Sequence, residues 1–290
     1  MLISVFDFTR RSLDPVERDW AIKAVNAQLA EDFAPGWEVG ASVVVESLDL
    51  SRPFHIRPKG KSAVVLVDSV ESMPHEVLRT WRSAGFGFSV VCPDLAVDAG
   101  EPWTRVFSRE ILQAVAFPRG PRYIRGPHPE LPGREVFHLR LICAPVWSEG
   151  YRVMGVDVAD FVLPGYYSRL HMPRRHQKAF LPLQAFGKLP GGFLAYLDPR
   201  ENEVIHYFGE DGTAADAANR YLAHAPARRW SHRPVPFVPI WSRPPEMPAG
   251  DSSGVGRIPD PLCFACGSSL RGLGPGARVA VTAGRREGGG

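Results

Sequence analysis

The stretch Trp103-Thr104-Arg105-Val106-Phe107-Ser108-Arg109-Glu110-Ile111-Leu112-Gln113-Ala114-Val115-Ala116-Phe117-Pro118 decides how this chain is read. It predicts a helix from Trp103 to Phe117. Pro118 stops it, because proline has no amide hydrogen and its ring clashes with the preceding turn. Arg109 and Gln113 are four residues apart and share one face of that helix, with Glu110 one step round. Outward from it, strands and helices alternate. Leu2 to Phe8 alternates as a strand. Asp14-Pro15-Val16-Glu17 is a helix start, with aspartate as N-cap, proline first and glutamate third. That helix is expected to reach about Phe33, with Trp20, Ala24, Ala27 and Leu29 on one side. The β-branched runs Gly40 to Ser47 and Ser62 to Asp68 read as buried strands. Pro74 to Ala84 reads as a helix ended by Gly85, and Phe88 to Cys92 as a strand. Arg134 to Ala144 and Tyr151 to Val158 are expected to pair antiparallel. Gly191 to Tyr196 and Glu203 to Phe208 form a hairpin across Asp198-Pro199-Arg200, and Ala214 to Ala225 is a short helix. The order predicts an α/β (α+β) domain over residues 1–232, a mixed sheet packed by helices, followed by a Pro/Gly-rich tail over 233–290.

Composition narrows the function classes. The chain has 290 residues, 44% of them hydrophobic, which supports a sizeable core. The net charge of +3 is mild, and no basic stripe interleaved with aromatics occurs, so nucleic acid is not an expected partner. No run of 18 apolar residues is present, so no membrane span is expected. The N-terminus lacks the basic and apolar regions of a signal peptide, and the expected location is the cytoplasm. Four cysteines without an export signal imply no disulfide framework.

The chemistry turns on Arg109, Glu110 and Gln113. A zinc-hydrolase helix carries His-Glu-x-x-Glu, whose first and last side chains reach one cation from one helical face. Here Arg109 stands at the His position and Gln113 at the second Glu position. Only Glu110, the candidate general base, remains. Further segments accompany the helix: Gly126-Pro127-His128-Pro129 in a loop, Cys143-Ala144-Pro145-Val146, and Tyr151-Arg152-Val153-Met154-Gly155-Val156-Asp157-Val158-Ala159-Asp160-Phe161-Val162-Leu163-Pro164. On these segments residues from about Asp14 to Phe208 resemble a family of uncharacterised bacterial zinc-metallopeptidase-like (zincin-like) proteins. That family has an S-H-E-x-L-E helix, a C-D-x-V strand and a D-G-V-x-V-S-D-F-V-x-P hairpin.

The resemblance implies a zincin-like core in which Glu110 is a vestigial general base and Arg109, Gln113 and Ala144 are degenerate ligand positions. Arg cannot ligate zinc, because its guanidinium stays protonated. Gln is a poor ligand and Ala is none, whereas catalytic zinc needs three protein ligands. The expectation is a pseudoenzyme with no cofactor in its core and a binding or accessory role, its ligand an unknown protein or peptide. Arg109 is expected to form an ion pair with Glu110 in place of a metal clamp, in a groove suited to an acidic or peptide ligand. The bland reading makes both residues a solvated helix face.

Two alternatives stay open. The first is an active hydrolase in which Glu110 works beside a relocated metal held by His128, His138, His171 or His176. The second rests on the tail, where Cys263-Phe264-Ala265-Cys266-Gly267 resembles one zinc-ribbon knuckle; a partner would complete the four ligands a structural zinc requires. The tail is otherwise too rich in Pro, Gly, Ser and Arg to offset its ordering entropy, and disorder is expected. Cys92 and Cys143 read as buried residues on core strands. His75-Glu76 reads as an ordinary helix start. Asp160 reads as a turn cap that bonds backbone amides.

Overall fold

The computed structural model describes residues 1–9, 13–48, 56–69, 72, 74–118, 120, 122–168, 174–175, 182–200, 203–209 and 281–282. The first half is built on a parallel sheet. Strand β1 is Leu2–Asp7, β2 Ser42–Val45, β3 Ser62–Leu66 and β4 Gly87–Val91, in the order β2-β1-β3-β4. Helix α1 is Pro15–Ala27, continued by a π-helical turn Gln28–Phe33 and a short α2, Ala34–Trp37. Helix α3 is His75–Ser83, α4 Pro93–Asp98 and α5 Trp103–Ala116.

The period of two along the central strands places helices on both faces of this sheet. Ile3, Val5, Val64 and Leu66 point into one apolar cluster with Ile22, Val25, Phe107 and Ile111 of α1 and α5. Phe6, Ala63 and Val65 point into a second with Val77, Leu78 and Trp81 of α3. Asp14 caps α1 as the sequence suggests, accepting from the Val16 amide at 2.8 Å. The buried residues of α1 are Ala21, Ile22, Ala24 and Val25, so the face assigned from sequence is rotated: Trp20 is 45% exposed, under the Lys23 ammonium.

The second half is mostly antiparallel. Strand β5 is Tyr123–Pro127, β6 Glu135–Leu139, β7 Gly150–Val153 and β8 Val156–Ala159. The two-residue pairs β9, Arg174–Arg175, and β10, Pro182–Leu183, form a small ribbon; β11 is Leu194–Asp198, β12 Glu203–Tyr207 and β13 Val281–Thr282. One sheet has the order β13-β12-β11-β6-β5, antiparallel except that β13 runs parallel to β12. Strands β7 and β8 form a separate hairpin.

Several expectations are corrected here. The larger sheets are a four-stranded parallel one and a five-stranded, mostly antiparallel one, instead of a single mixed sheet. Residues 134–144 do not pair with 151–158; β6 pairs with β5 and β11, and the later segment folds on itself. Its two-residue turn has Met154 at φ 53° and Gly155 at φ 80°, the left-handed pair that matches strand twist in a tight hairpin. Gly126 and Pro127 belong to β5 and not to a loop. Ala144–Val146 is a 3₁₀ turn, with proline inside it, and not a strand. Cys92 lies just beyond β4, at the N-cap of α4. The Ala214–Ala225 helix, the 232/233 boundary and Cys263 and Cys266 lie outside the described residues.

One buried polar network joins the two halves. Gln28 Nε2 donates to the Ala159 carbonyl at 2.7 Å and to the Tyr151 hydroxyl at 3.0 Å. Gln28 Oε1 accepts from Ser108 Oγ at 3.0 Å, and Ser108 Oγ accepts from the Ala159 amide at 3.0 Å. Tyr151 donates to Asp32 at 2.8 Å. The π turn, with close to four and a half residues per turn, keeps Gln28 and Asp32 on the side facing the hairpin. Ser108→Ala removes a donor and an acceptor from this dry network. It is expected to cost about 1–3 kcal/mol, read as a lower urea midpoint with unchanged slope; a midpoint equal to wild type would remove the network from the stability of the fold.

Candidate functional site

Ten of the fourteen residues of α5 are buried, including Ser108, Arg109 and Glu110. The solvated-face reading of Arg109 and Glu110 is therefore overturned. Nor do the two form the expected pair. Arg109 reaches back across Pro102 to Glu101, Nη2 to Oε1 at 2.5 Å and Nη1 to Oε2 at 3.3 Å. Its Nη2 also donates to the Trp147 carbonyl at 3.1 Å, and its guanidinium lies 3.5 Å from the centre of the Trp147 ring. The charge is thus both ion-paired and stacked, the arrangement that suits a planar, weakly hydrated cation. With only 5% of its side chain exposed, Arg109 presents no free positive charge to a groove.

Gln113 has an equally definite task. Its Nε2 donates to the Arg140 carbonyl at 3.1 Å, and its Oε1 accepts from the Ile142 amide at 3.0 Å. The two bonds fix which end of the amide is which. They hold the chain as it leaves β6, ahead of the 3₁₀ turn. Arg109 and Gln113 therefore clamp the two ends of one segment, 140–147. Ala144 lies on that segment, but its methyl packs with Leu139, Leu141, Phe193, Ala195 and Phe208 in another apolar cluster.

These positions do not fit a metal. Arg109 is a permanent cation, the Gln113 oxygen is committed to a backbone amide, and Ala144 has no donor. Among the described residues no group of three or more His, Cys, Asp or Glu is placed to hold an ion. His128 and His138 fall in one region beside Tyr196. His128 Nδ1 accepts from the amides of Glu130 and Leu131, both at 3.1 Å, and His138 Nε2 bonds the Pro127 carbonyl at 2.8 Å. His171 and His176 lie outside the described residues. Asp160 is buried and accepts from the adjacent Phe161 amide at 2.8 Å, where the chain forms no turn of the kind expected. Asp157 is partly exposed, 3.7 Å from Arg152.

Glu110 is the exception on the helix. Burial pushes its carboxyl up to about 7, with the Ser89 side chain and the Arg109 charge pulling the other way. Cys143 lies in the same charged surroundings: burial drives its thiol well above the ordinary range, Arg109 opposes, and Asp160, Glu110 and Glu101 reinforce the rise. Such a thiol is a poor nucleophile. Sequence reading missed Glu101 and Trp147. Glu101 precedes the helix across a proline, so no helical spacing links it to Arg109.

No family model matches the chain, and no curated protein or solved structure does either. Among the described residues no helix is long and apolar enough to cross a membrane.

Two predictions follow from the buried helix. Gln113→Glu places a carboxylate at this position, but an ionised carboxylate has no hydrogen for the Arg140 carbonyl. A loss of about 1–3 kcal/mol is expected at neutral pH, measured by equilibrium denaturation; full stability in this variant would show that the amide clamp is dispensable. Glu110 sets a pH dependence. Its ordinary value is 4.5 and its folded value about 7, so between these the folded state keeps a proton that the unfolded chain releases. Stability from Glu110 is present below 4.5 and is lost as pH rises through 7. Glu110→Gln mimics the protonated form. The wild type is expected to lose on the order of 3 kcal/mol relative to this variant across that window. Burial pushes His138 and His206 down to about 4; these act in the opposite sense and cancel in the comparison. Parallel stability–pH curves for the two proteins would refute the buried proton.

Proposed function

We propose that this chain is a catalytically inactive, metal-free metallopeptidase-like protein that serves by binding a protein or peptide partner. The observation that carries the reading is the fate of Arg109. Where the resemblance puts the first metal ligand, a guanidinium is locked between Glu101 and Trp147. Gln113, at the second ligand position, spends both ends of its amide on the backbone. Positions that would carry the metal ligands in a hydrolase carry struts for segment 140–147 here. Glu110 then has no metal-bound water to deprotonate, and burial favours its neutral form. The groove expected around a positive Arg109 is not part of this proposal, because that charge is buried and neutralised.

A second reading draws on Glu110 itself. A carboxyl near 7 is matched to general acid–base work at neutral pH, which is what an active hydrolase with relocated ligands requires. The tail pair Cys263 and Cys266 defines the third reading, an interaction protein with a zinc knuckle completed by a partner.

Elemental analysis separates the three. The full-length chain and its Cys263→Ser/Cys266→Ser variant are purified with zinc supplied and then dialysed. The inactive, metal-free core predicts no stoichiometric zinc in the double variant. One equivalent retained there, with a hydrolytic activity lost on Glu110→Gln, would replace the proposal with the active hydrolase. Zinc present in the wild type and lost with the cysteines would assign metal to the tail.

A further inference from the structure

Strand β12 would end the antiparallel sheet were it not for β13, two residues that lie beyond it. It is firmly seated, with Ile205 and His206 buried, and it pairs with β11 along its whole length. Its outer backbone is open to a further strand. In an antiparallel ladder, successive residues turn their amide and carbonyl alternately to one neighbour and the other. The bonds between Arg122 and Arg140 and between His128 and Arg134 set that alternation for β5 and β6. Carried across through Leu197↔Phe137 and Tyr196↔Ile205, it turns the amides and carbonyls of Val204 and His206 away from β11. An edge of this kind is a template for strand pairing.

The chain itself uses that template. It leaves β12 at Tyr207 and returns at Val281, and Val281–Thr282 add in parallel, His206 beside Val281 and Tyr207 beside Thr282. The returning sequence, Val279-Ala280-Val281-Thr282, is a β-branched run without proline in a tail otherwise rich in Pro, Gly and Ser. The hold is slight. Two residues contribute few bonds, parallel pairing is the weaker kind, and closing so long a loop costs entropy. Two other edges are blunted by the core. On β2 the Asn26 side chain takes both outward groups of Val43, Nδ2 donating to its carbonyl at 3.0 Å and Oδ1 accepting from its amide at 2.8 Å. Strand β5 ends in Pro127, which has no amide to offer.

We propose that the outer edge of β12 docks an extended peptide strand of another protein, and that Val281–Thr282 hold the place until that strand displaces them. The proposal rests on the reading of this chain as a protein that binds a peptide partner, and it names the surface. The partner is a proline-free, β-branched segment like the tail's own, running parallel to β12. Main-chain bonds at His206 supply affinity, as in strand addition generally. A partner that brings a longer strand gains over the tail, because Val204 then also finds a neighbour. The tail is thereby a competitor in cis, and releasing it raises the partner's affinity without any new contact.

A fluorescein-labelled peptide of residues 277–284, followed by anisotropy, is titrated into the full-length chain and into its Thr282→Pro variant. Proline removes the amide hydrogen that position 282 gives the ladder, and the change alters no residue of the core. The peptide is expected to bind Thr282→Pro about tenfold or more tightly than wild type. Hydrogen exchange locates the event. The His206 amide is expected to exchange about tenfold or more faster in Thr282→Pro, and to regain its protection when the peptide is added. A peptide carrying Val281→Pro and Thr282→Pro is expected not to bind. The proposal is overturned by equal His206 exchange in wild type and variant, by absence of saturable binding to Thr282→Pro, or by the proline peptide binding as well as its parent. Neither readout involves zinc, so failure here leaves the metal-free core to its own test, and zinc found in the core leaves the edge to this one.

Discussion

The rest of the structure depends on the burial of α5 on all sides. A surface helix keeps a polar face in water; this one is enclosed by β3 and β4, by α4, by β8 and by segment 140–147. Every polar side chain along its middle must then find a partner or lose its charge, because an unpaired buried group costs more than most single contacts return. Four such side chains solve the problem in four directions. Ser108 joins the Gln28 network with the Ala159 backbone. Arg109 takes Glu101 and the Trp147 ring. Gln113 takes the backbone at Arg140 and Ile142. Glu110, facing Ser89, is the one that meets burial largely by holding its proton. The helix is therefore a hub: one element fixes the hairpin, the 3₁₀ turn and the parallel sheet relative to one another.

This division of labour explains why residue types at these positions are not interchangeable. A neutral amide alone offers a donor and an acceptor at the spacing Gln113 needs; a carboxylate offers two acceptors and histidine is too short and rigid for the same fork. Arg109 must be planar to lie flat on Trp147 while forking onto Glu101; lysine carries the charge but not the plane. A metal centre at the same place would need these atoms for the ion, and then the 140–147 segment would need other supports. The two uses of the helix exclude each other chemically.

The sequence shows some of this and hides the rest for identifiable reasons. The parallel strands are legible because β1 and β3 are dense in Val, Ile and Phe with both faces covered. The start of α1 is legible because Asp14 and Pro15 carry a local signal, as Asp198-Pro199-Arg200 does for the late hairpin, where the Arg200 amide bonds Asp198 at 3.0 Å. Signals that depend on the tertiary partner fail. Trp20 looks like a core residue by type, yet it sits outside the stripe Ala21, Ile22, Ala24 and Val25 that packs on the sheet. The partners of residues 134–144 are not legible, because alternation reveals a strand and not its neighbour. The resemblance implies a strand at Cys143–Val146, but Pro145 lacks the amide that a ladder needs and the chain turns instead. At the site, the positions of Arg109, Glu110 and Gln113 on one helix are plain in the sequence. That they are buried, and that Glu101 instead of Glu110 neutralises Arg109, requires the fold.

Charge balance along α5 ties its middle to its far end. Arg109 and Glu101 cancel, and Glu110 is held largely neutral below about 7, so the middle of the helix carries little net charge and little reason to rearrange. Past Ala116 the balance breaks: Arg122 and Arg140 add positive charge where the last carbonyls of the helix offer only a partial negative end, and among the described residues neither has a carboxylate partner.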